Sequence, residues 1–224
     1  MGCEVHEIRR VGAGGEEMIA IIDYGLGNIR AFENVLKRIG APYRIARNEA
    51  DLAPATKVIL PGVGAFDHAM ELLNHSGMRE TLDHLVLEDK RPVIGICVGM
   101  QILARSSAEG RLPGLGWVPG EVRSMKEDGL DPEGRLPHMG WNSVGPVQKD
   151  GLFHQITQDP TFYFLHSYYF KCDDPSQVLA KTSYGGEFAS AIGNGHIFGV
   201  QFHPEKSHHN GIQLLKNFAE LPTC

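Results

Sequence analysis

A single thiol stands between two glycines, at Gly95, Cys97 and Gly99, directly after a run of apolar residues. Small residues on both sides of a nucleophile allow the sharp strand-to-helix turn that exposes its side chain, as in the Gly-x-Ser-x-Gly elbow. The amides and the positive potential at the start of a following helix would favour the thiolate, which is the reactive form of cysteine. A lone cysteine after an apolar strand is more often a buried structural residue, so the pattern leaves both interpretations open.

A base and an orienting group for this thiol are present in the stretch His-Pro-Glu at residues 203–205. A carboxylate at Glu205 can hold one ring nitrogen of His203 while the other nitrogen faces the thiol. Thiol, imidazole and carboxylate would then form a catalytic triad. His-x-Glu with His208 and His209 nearby also resembles part of a zinc site, but the Pro-Cys-x-x-Cys segment of zinc deaminases is absent, so we expect no metal.

Composition restricts the class of protein that could use such a triad. The chain has 224 residues, of which 42% are hydrophobic and 21% charged, as in a compact α/β domain. Acidic residues outnumber basic ones by 27 to 21 without a block of like charge, which argues against a nucleic-acid or membrane partner. The four cysteines are far apart, so neither disulfides nor a zinc ribbon is indicated. We expect a cytoplasmic protein.

The first residues differ in texture from the rest of the chain. Residues 1–17 are polar, show no period and end in a glycine-rich segment. We expect a disordered N-terminal extension there, the product of a misassigned upstream start, and one folded domain over residues 18–224. A genuine disordered tail is the alternative.

Strand-like and helix-like segments alternate in the first half of the folded region. The pattern predicts strands over residues 18–25, 43–47, 57–64 and 92–97, and helices over 28–40, 65–77, 78–90 and 98–106. Short apolar strands that alternate with helices predict an α/β three-layer sandwich with a largely parallel central sheet. Ligands bind beyond the carboxyl ends of such strands, where Cys97 and His203 are both expected.

The second half of the chain, after about Gly114, is richer in β patterns and turn signals. Strands are predicted over residues 162–170, 177–184, 187–193 and 197–203, and a closing helix over 210–221. We expect these strands to be partly antiparallel additions to the central sheet.

Five stretches carry a resemblance to a known family: PGVGAFDHAM, GICVGMQIL, PHMGWNSV, FYFLHSY and GVQFHPEKS. In this order they resemble the class I glutamine amidotransferases, and within them the glutaminase subunits of imidazole glycerol phosphate synthase. The resemblance implies a flavodoxin-like fold, no cofactor, and hydrolysis of glutamine to glutamate and ammonia. Cys97 would be the nucleophile, His203 the general acid and base, and Glu205 the orienting group. Val98 departs from the leucine usual in the family.

The reaction also needs donors for a tetrahedral oxyanion and contacts for the substrate. The N–H of Val98 is the first candidate, and the glycine-rich strand end formed by Gly62, Val63 and Gly64 could present the second, with a plain βα turn as the alternative. By resemblance, the α-amino and α-carboxylate groups of glutamine would be held by Gly62, Gln101, Glu109, His166, Ser167 and Tyr168. Without the resemblance, Glu109 could be a solvated loop acid and residues 162–170 a core strand.

Ammonia released into water would be protonated and lost, so a sheltered path to an acceptor site is expected. The resemblance implies a heterodimer with a (β/α)₈-barrel cyclase subunit. That subunit makes imidazole glycerol phosphate for histidine biosynthesis and an aminoimidazole carboxamide ribotide from a phosphorylated ribulosyl intermediate. The positions that match its interface are Asn28, Trp141, Tyr163 and Lys206, although Trp141 could instead be a core residue.

Two alternatives for the function stay open. A paralogous glutaminase would supply ammonia to a sugar amidotransferase of surface-polysaccharide synthesis, with the same chemistry and another partner. An inactive regulatory or scaffold subunit would use the cleft for binding only, but such a subunit has no need of Cys97, His203 and Glu205 together.

Overall fold

The structure is a computed structural model that describes residues 17–147, 150–156 and 158–223. The expected extension, apart from Glu17, lies outside the described residues. The strands are β1 (Ile19–Ile22), β2 (Tyr43–Ala46), β3 (Lys57–Gly62), β4 (Val93–Cys97), β5 (Gly120–Ser124), β6 (His138–Ser143), β7 (Gly145–Pro146), β8 (Thr161–His166), β9 (Tyr168–Cys172), β10 (Val178–Ser183), β11 (Glu187–Asn194) and β12 (Ile197–Val200). The α-helices are α1 (Ile29–Ile39), α2 (Glu49–Leu52), α3 (Phe66–His75), α4 (Arg79–Asp83), α5 (Val98–Gln101) and α6 (His208–Ala219). Helix α4 continues as a π-helix over His84–Glu88, and 3₁₀ turns occupy Pro132–Gly134, Gly151–Phe153, Pro175–Gln177 and Pro204–Lys206.

Helix α1 shows how local sequence sets an element of the fold. Asn28 caps its start, because the side chain accepts a hydrogen bond from the backbone N–H of Ala31. Gly40 ends it in the left-handed conformation, at φ 71°, which glycine adopts without strain. The predicted apolar face of α1 is buried against the sheet, with Phe32 and Leu36 almost inaccessible to solvent. The helix prediction is confirmed.

The central sheet follows the predicted topology. Its order through the described residues is β2-β1-β3-β4-β12-β11-β10-β7, and β1, β2, β3, β4 and β12 are mutually parallel. Strands β1 and β4 are buried along their whole length, as expected for strands covered on both faces. Helix α1 contacts α6, and α3 contacts α4, so helices form the two outer layers. The prediction of a largely parallel three-layer sandwich is confirmed.

The second half adds the antiparallel strands that the sequence indicates. Strand β12 lies parallel to β4 on one side and antiparallel to β11 on the other, and β10, β7, β9 and β5 continue the antiparallel part. The prediction of one strand over residues 162–170 is wrong. The chain turns at Ser167, so that β8 pairs with β6 in a separate two-stranded sheet while β9 joins the main sheet.

The helix predicted over residues 98–106 is much shorter than expected. Helix α5 ends at Gln101, and the apolar residues Ile102, Leu103 and Ala104 are fully buried in the turns that follow. The carbonyls of Ile102 and Ala104 accept hydrogen bonds from the N–H groups of Leu115 and Gly116. A tertiary contact therefore takes the acceptors that a longer helix would need. None of the helices in the described part of the chain is long and apolar enough to cross a membrane.

Candidate active site

Cys97 is the last residue of β4 and has a backbone conformation that side chains rarely adopt. Its φ is 55° and its ψ is −111°, and its side chain is only 4% exposed. A non-glycine residue with positive φ stores on the order of 1–3 kcal/mol and is found mainly at functional sites. The sulfur lies 3.8 Å from the carbonyl oxygen of Leu165 and receives the Nε2–H of Gln201 at 3.7 Å. The strained strand-to-helix turn that the glycine spacing predicts is present.

The glycines around Cys97 are required by backbone packing. A Cβ on Gly95 would lie 2.4 Å from the carbonyl oxygen of Gly99, and a Cβ on Gly99 would lie 1.9 Å from that of Leu60. Both distances are far below van der Waals contact. The pattern Gly-x-Cys-x-Gly is therefore required by close backbone packing within the turn and against β3. The thiol lies between the two glycines.

His203 and Glu205 lie beyond the carboxyl end of β12, which is next to β4 in the sheet. Nδ1 of His203 is 2.9 Å from Oε1 of Glu205, and both side chains are almost fully buried. Burial lowers the pKa of His203, but its hydrogen bonds to Cys97 and Glu205 outweigh this effect and raise the pKa to about 9. Since Nδ1 is held by the carboxylate, Nε2 is the nitrogen available to the thiol. The arrangement favours the protonated form of His203 next to the sulfur of Cys97.

A cleft of about 270 Å³ opens next to these side chains. Its walls include most of the residues that the sequence assigns to the oxyanion site and the substrate: Val63, Gly64, Val98, Gln101, Glu109, His166, Ser167 and Tyr168. Cys97 and His203 line the same cleft. The structure therefore brings together segments that are more than 100 residues apart in the chain.

Gly62 is the exception among the predicted cleft residues. It lies within β3 opposite Cys97 and is not among the lining residues. A Cβ there would meet the backbone nitrogen of Gly99 at 2.4 Å, so this glycine permits the close approach of β3 to the nucleophile turn. Val98 begins α5, and its N–H is one of the first-turn amides that have no acceptor within the helix.

Two predicted substrate residues have defined partners. Nε2 of Gln101 donates to the carbonyl of Tyr168 and to Oε1 of Gln201, each at 3.1 Å. Oε2 of Glu109 accepts the N–H of Phe66 at 2.9 Å, at the start of α3. Burial raises the pKa of Glu109, while the hydrogen bond from Phe66 opposes this effect. Glu109 is a partly buried, positioned carboxylate, unlike a freely solvated loop acid.

Two of the predicted interface residues lie on the two-stranded sheet, and the other two lie on elements near it. Trp141 of β6 is paired with Tyr163 of β8, their ring centroids are 6.2 Å apart, and Trp141 is 48% exposed. The alternative of Trp141 as a core residue is therefore wrong. Nζ of Lys206 lies 5.6 Å from the centre of the Tyr163 ring. Asn28 is exposed at the start of α1, which packs against the Pro204–Lys206 turn.

His208 forms a contact different from the metal site considered for it. Its ring stacks on Trp141 at a centroid distance of 5.0 Å and an interplanar angle of 8°. Across residues 17–147, 150–156 and 158–223, the side chains of His, Cys, Asp and Glu form no group of three or more that could hold a metal ion.

The sequence did not indicate several polar side chains that support the site. Gln201 donates to Cys97, Tyr24 donates its hydroxyl to the carbonyl of Pro61 at 2.7 Å, and Asp67 accepts from two backbone N–H groups just after Glu109. His138 adjoins His166 behind the cleft wall. Of these residues, only Gln201 could have been suspected from the sequence, because it lies two residues before His203.

Comparison with known proteins identifies the family of the chain. The family model of class-I glutamine amidotransferases matches residues 20–221. The chain is 60% identical over 205 residues to the imidazole glycerol phosphate synthase subunit HisH of Bdellovibrio bacteriovorus, which covers 91% of this chain and 100% of that protein. It is 49% identical over 204 residues to the same subunit of Leptospira interrogans, with 91% and 100% covered.

A solved structure also has this fold. The crystal structure of a glutamine amidotransferase superposes with a TM-score of 0.70 at 19% identity, over 91% of this chain and 99% of that one. At this level of identity the match supports the fold alone.

Proposed function

The chain belongs to the class-I glutamine amidotransferases, among the HisH subunits of imidazole glycerol phosphate synthase, and from this premise we propose a triad of Cys97, His203 and Glu205 that hydrolyses glutamine. One observation carries the proposal. A thiol held at positive φ at the end of β4 faces an imidazole whose other nitrogen is held by a buried carboxylate. A binding module needs none of this arrangement, whereas a nucleophilic enzyme needs all of it.

The geometry supports a two-step mechanism. The Cys97 thiolate attacks the side-chain amide carbon of glutamine, and the N–H of Val98, with an amide of the Val63–Gly64 segment, stabilises the oxyanion. The tetrahedral intermediate collapses as the His203 imidazolium gives its proton to the leaving nitrogen, which departs as ammonia and leaves a thioester. His203 then takes a proton from water, the hydroxide attacks the thioester, and the thiolate leaves as glutamate is released.

The cleft offers complementary groups for the rest of the substrate. The carboxylate of Glu109 faces the cleft and can pair with the α-ammonium group of glutamine. Gln101 lies beside the corner formed by His166, Ser167 and Tyr168, and these residues supply amide and carbonyl groups for the α-carboxylate and α-amino ends. The cleft volume of about 270 Å³ suits a ligand of amino-acid size.

We propose that the released ammonia passes to a cyclase subunit docked on the face of the two-stranded sheet, in a cytoplasmic heterodimer serving histidine biosynthesis. Large apolar side chains are exposed there, including Met139 at 65%, Trp141 at 48% and Leu165 at 39%. Leu165 also lines the cleft, so this face and the nucleophile share a wall. Exposed apolar residues with an aromatic anchor and a basic residue such as Lys206 are typical of protein interfaces.

The test is glutamate release from glutamine by the purified chain, alone and then with its own cyclase subunit and the ribulosyl substrate. The expected result is a strong stimulation in the complex that Cys97→Ala abolishes. Cys172→Ala is the matched control, because burial raises the pKa of this second thiol to about 12 and keeps it unreactive. Lack of glutamate release with a folded, correctly assembled partner would contradict the pathway and favour the sugar-amidotransferase alternative.

A further inference from the structure

A run of hydrogen bonds, buried at its centre and partly exposed at Asn142, lies behind the cleft wall between β6 and β8. Nδ1 of His138 is 2.9 Å from Nε2 of His166, and Nε2 of His138 is 3.2 Å from Nδ2 of Asn142. The His138 ring is held between the rings of Phe164 and Tyr184, at centroid distances of 4.6 and 4.1 Å. The proposed mechanism uses backbone groups of the corner at His166 and gives its imidazole no part, so these side-chain hydrogen bonds are unexplained by it.

Backbone groups fix the direction of this run at both ends. The carbonyl oxygen of Tyr168 lies 2.8 Å from Nδ1 of His166 and can only accept, so Nδ1 carries the proton. At the other end Oδ1 of Asn142 accepts the N–H of Ser143 at 2.8 Å, and Nδ2 donates to the carbonyl of Ser183 at 3.0 Å. The orientation of the Asn142 amide is therefore determined by its contacts.

The protons in the middle of the run follow from its ends. Nδ2 of Asn142 is a donor, so Nε2 of His138 accepts from it. A neutral His138 then carries its proton on Nδ1 and donates it to Nε2 of His166. Every nitrogen and oxygen along the run thus has a complementary partner when both rings are neutral.

A second proton on either ring breaks this pattern. A proton on Nε2 of His166 would face the Nδ1–H of His138, and turning His138 into an acceptor there would set its Nε2–H against the Nδ2–H of Asn142. Burial acts in the same direction, since it lowers the pKa of His138 to about 4 and that of His166 to about 3. The titratable groups around the pair are Cys97, Glu109, Tyr168 and His203 in the cleft wall and Tyr184 against His138.

We infer that His138 is a positioning residue of the glutaminase reaction, which donates to Nε2 of His166, keeps that ring neutral and leaves His203 as the imidazole that carries the proton. Two cleft imidazoles close enough to interact would otherwise compete for that proton. The pKa of His203 is raised to about 9 and that of His166 is lowered, so the two rings differ in their affinity for a proton. The catalytic part of the inference rests on the proposed function; the protonation of His166 does not.

The same run fixes the shape of the substrate corner. The carbonyl of Tyr168 accepts from both His166 and Gln101, and Gln101 donates as well to Gln201, whose amide donates to the sulfur of Cys97. Loss of the His138 donor would therefore loosen the corner that is proposed to bind glutamine. We expect the effect mainly on KM, with a smaller effect on kcat.

The first experiment is ¹⁵N NMR of the histidine side chains of the full chain, with the His166 signals assigned by substitution. The expected result is a neutral ring protonated on Nδ1 that does not titrate between about pH 5 and about pH 9. A ring protonated on Nε2, or one that titrates in this range, would overturn the inference. This readout does not depend on whether the protein hydrolyses glutamine.

The second experiment compares variants in the complex with the cyclase subunit. His138→Phe keeps an aromatic ring in the stack but removes the donor, and should raise KM for glutamine by about tenfold. His138→Asn keeps a donor near the position of Nδ1 and should preserve the protonation of His166, with KM within about threefold of the unaltered chain. His196→Phe, which removes an imidazole bonded to the carbonyl of Val86 away from the cleft, is the matched control.

The outcomes separate the inference from the proposed function. An inactive unaltered complex would contradict the proposed function and leave the NMR result to decide the protonation of His166. An active complex in which His138→Phe changes neither KM nor the protonation of His166 would overturn the inference. If His138→Phe does not fold, the NMR of the unaltered chain and of His138→Asn still decides it.

Discussion

Two glycine-rich turns meet at the same edge of the sheet, and they are held in different ways. In the nucleophile turn, residues 95–99, Gly95 and Gly99 are pressed against backbone atoms at distances that no Cβ could tolerate. In the loop over residues 61–64, Gly64 has φ +97° with no atom within 4 Å of its Cβ position, and Val63 is 41% exposed. The nucleophile turn is fixed by packing, whereas the end of the loop, at Val63 and Gly64, is exposed.

The start of the loop, at Pro61, is packed against its neighbours in the same way as the nucleophile turn. The hydroxyl of Tyr24 donates to the carbonyl of Pro61, and a Cβ on Gly27 would lie 2.6 Å from Cβ of Pro61. The change from fixed to open therefore occurs between Pro61 and Val63. The proposed nucleophile lies in the packed turn, whereas one proposed oxyanion donor lies where the chain can adjust, which is consistent with the proposed stimulation of glutamate release by a partner.

The largest expected effect comes from removing the nucleophile without disturbing its turn. Cys97→Ala should abolish glutamine-dependent synthesis by the complex while synthesis from added ammonium salts continues, because the acceptor site is untouched. Product formation with each nitrogen source measures this division. Loss of both activities in a folded, assembled complex would contradict it.

The second prediction tests whether the nucleophile turn is packed more tightly than the loop. Gly99→Ala should reduce the free energy of unfolding by about 3 kcal/mol or more, since its Cβ would lie 1.9 Å from the carbonyl oxygen of Leu60. Chemical denaturation of the purified chain measures the change. A small loss of stability would show that the nucleophile turn is as adjustable as the loop.

The third effect concerns the imidazole that serves the nucleophile turn. Because the pKa of His203 is raised from 6.5 to about 9, the stability that its charged pair contributes is present below pH 6.5 and lost as the pH rises through about 9. Glu205→Gln removes one cause of the raised pKa, so the alkaline fall in kcat/KM should move to lower pH. It should also reduce activity by about tenfold or more.

A pH profile of glutamine hydrolysis measures that shift. Glu33→Gln is the control, since it alters a partly buried carboxylate on α1 that accepts a hydrogen bond from the hydroxyl of Tyr43. An unchanged alkaline limb in Glu205→Gln would show that the carboxylate does not set the state of His203.

The smallest effect is expected at the open end of the loop. Gly64→Ala meets no steric obstacle, but it places a side chain at φ +97°, which costs about 1–2 kcal/mol. We expect a modest loss of stability together with a change in partner-stimulated glutamate release, because the substitution favours other conformations of the loop. If Gly64→Ala destabilised the chain as much as Gly99→Ala, the contrast between the turns would be wrong.

Much of the site could be predicted because its chemistry depends on short local patterns. The turn at Cys97 requires small residues on both sides, and the imidazole of His203 requires a carboxylate two residues later. The structure shows both arrangements as expected. The largely parallel sheet followed from apolar strands that alternate with helices. These features are encoded within about ten residues each, which is the range over which a sequence pattern is informative.

The supporting contacts could not be predicted, because they join distant segments. Gln201 reaches Cys97, Tyr24 reaches Pro61, and His138 reaches His166 only after the sheet has formed. The early end of α5 has the same origin, since Leu115 and Gly116 take the carbonyls that would have continued the helix.

The sequence by itself indicated the candidate reactive groups and the alternation of strands and helices in the first half of the chain, because residue type, spacing and capping act locally. Tertiary structure alone decided that β8 and β9 separate at Ser167, that Trp141 is exposed, and that the pKa of His166 is lowered while that of His203 is raised. Those outcomes depend on burial and on hydrogen-bond partners from distant strands, and both exist only once the chain is packed.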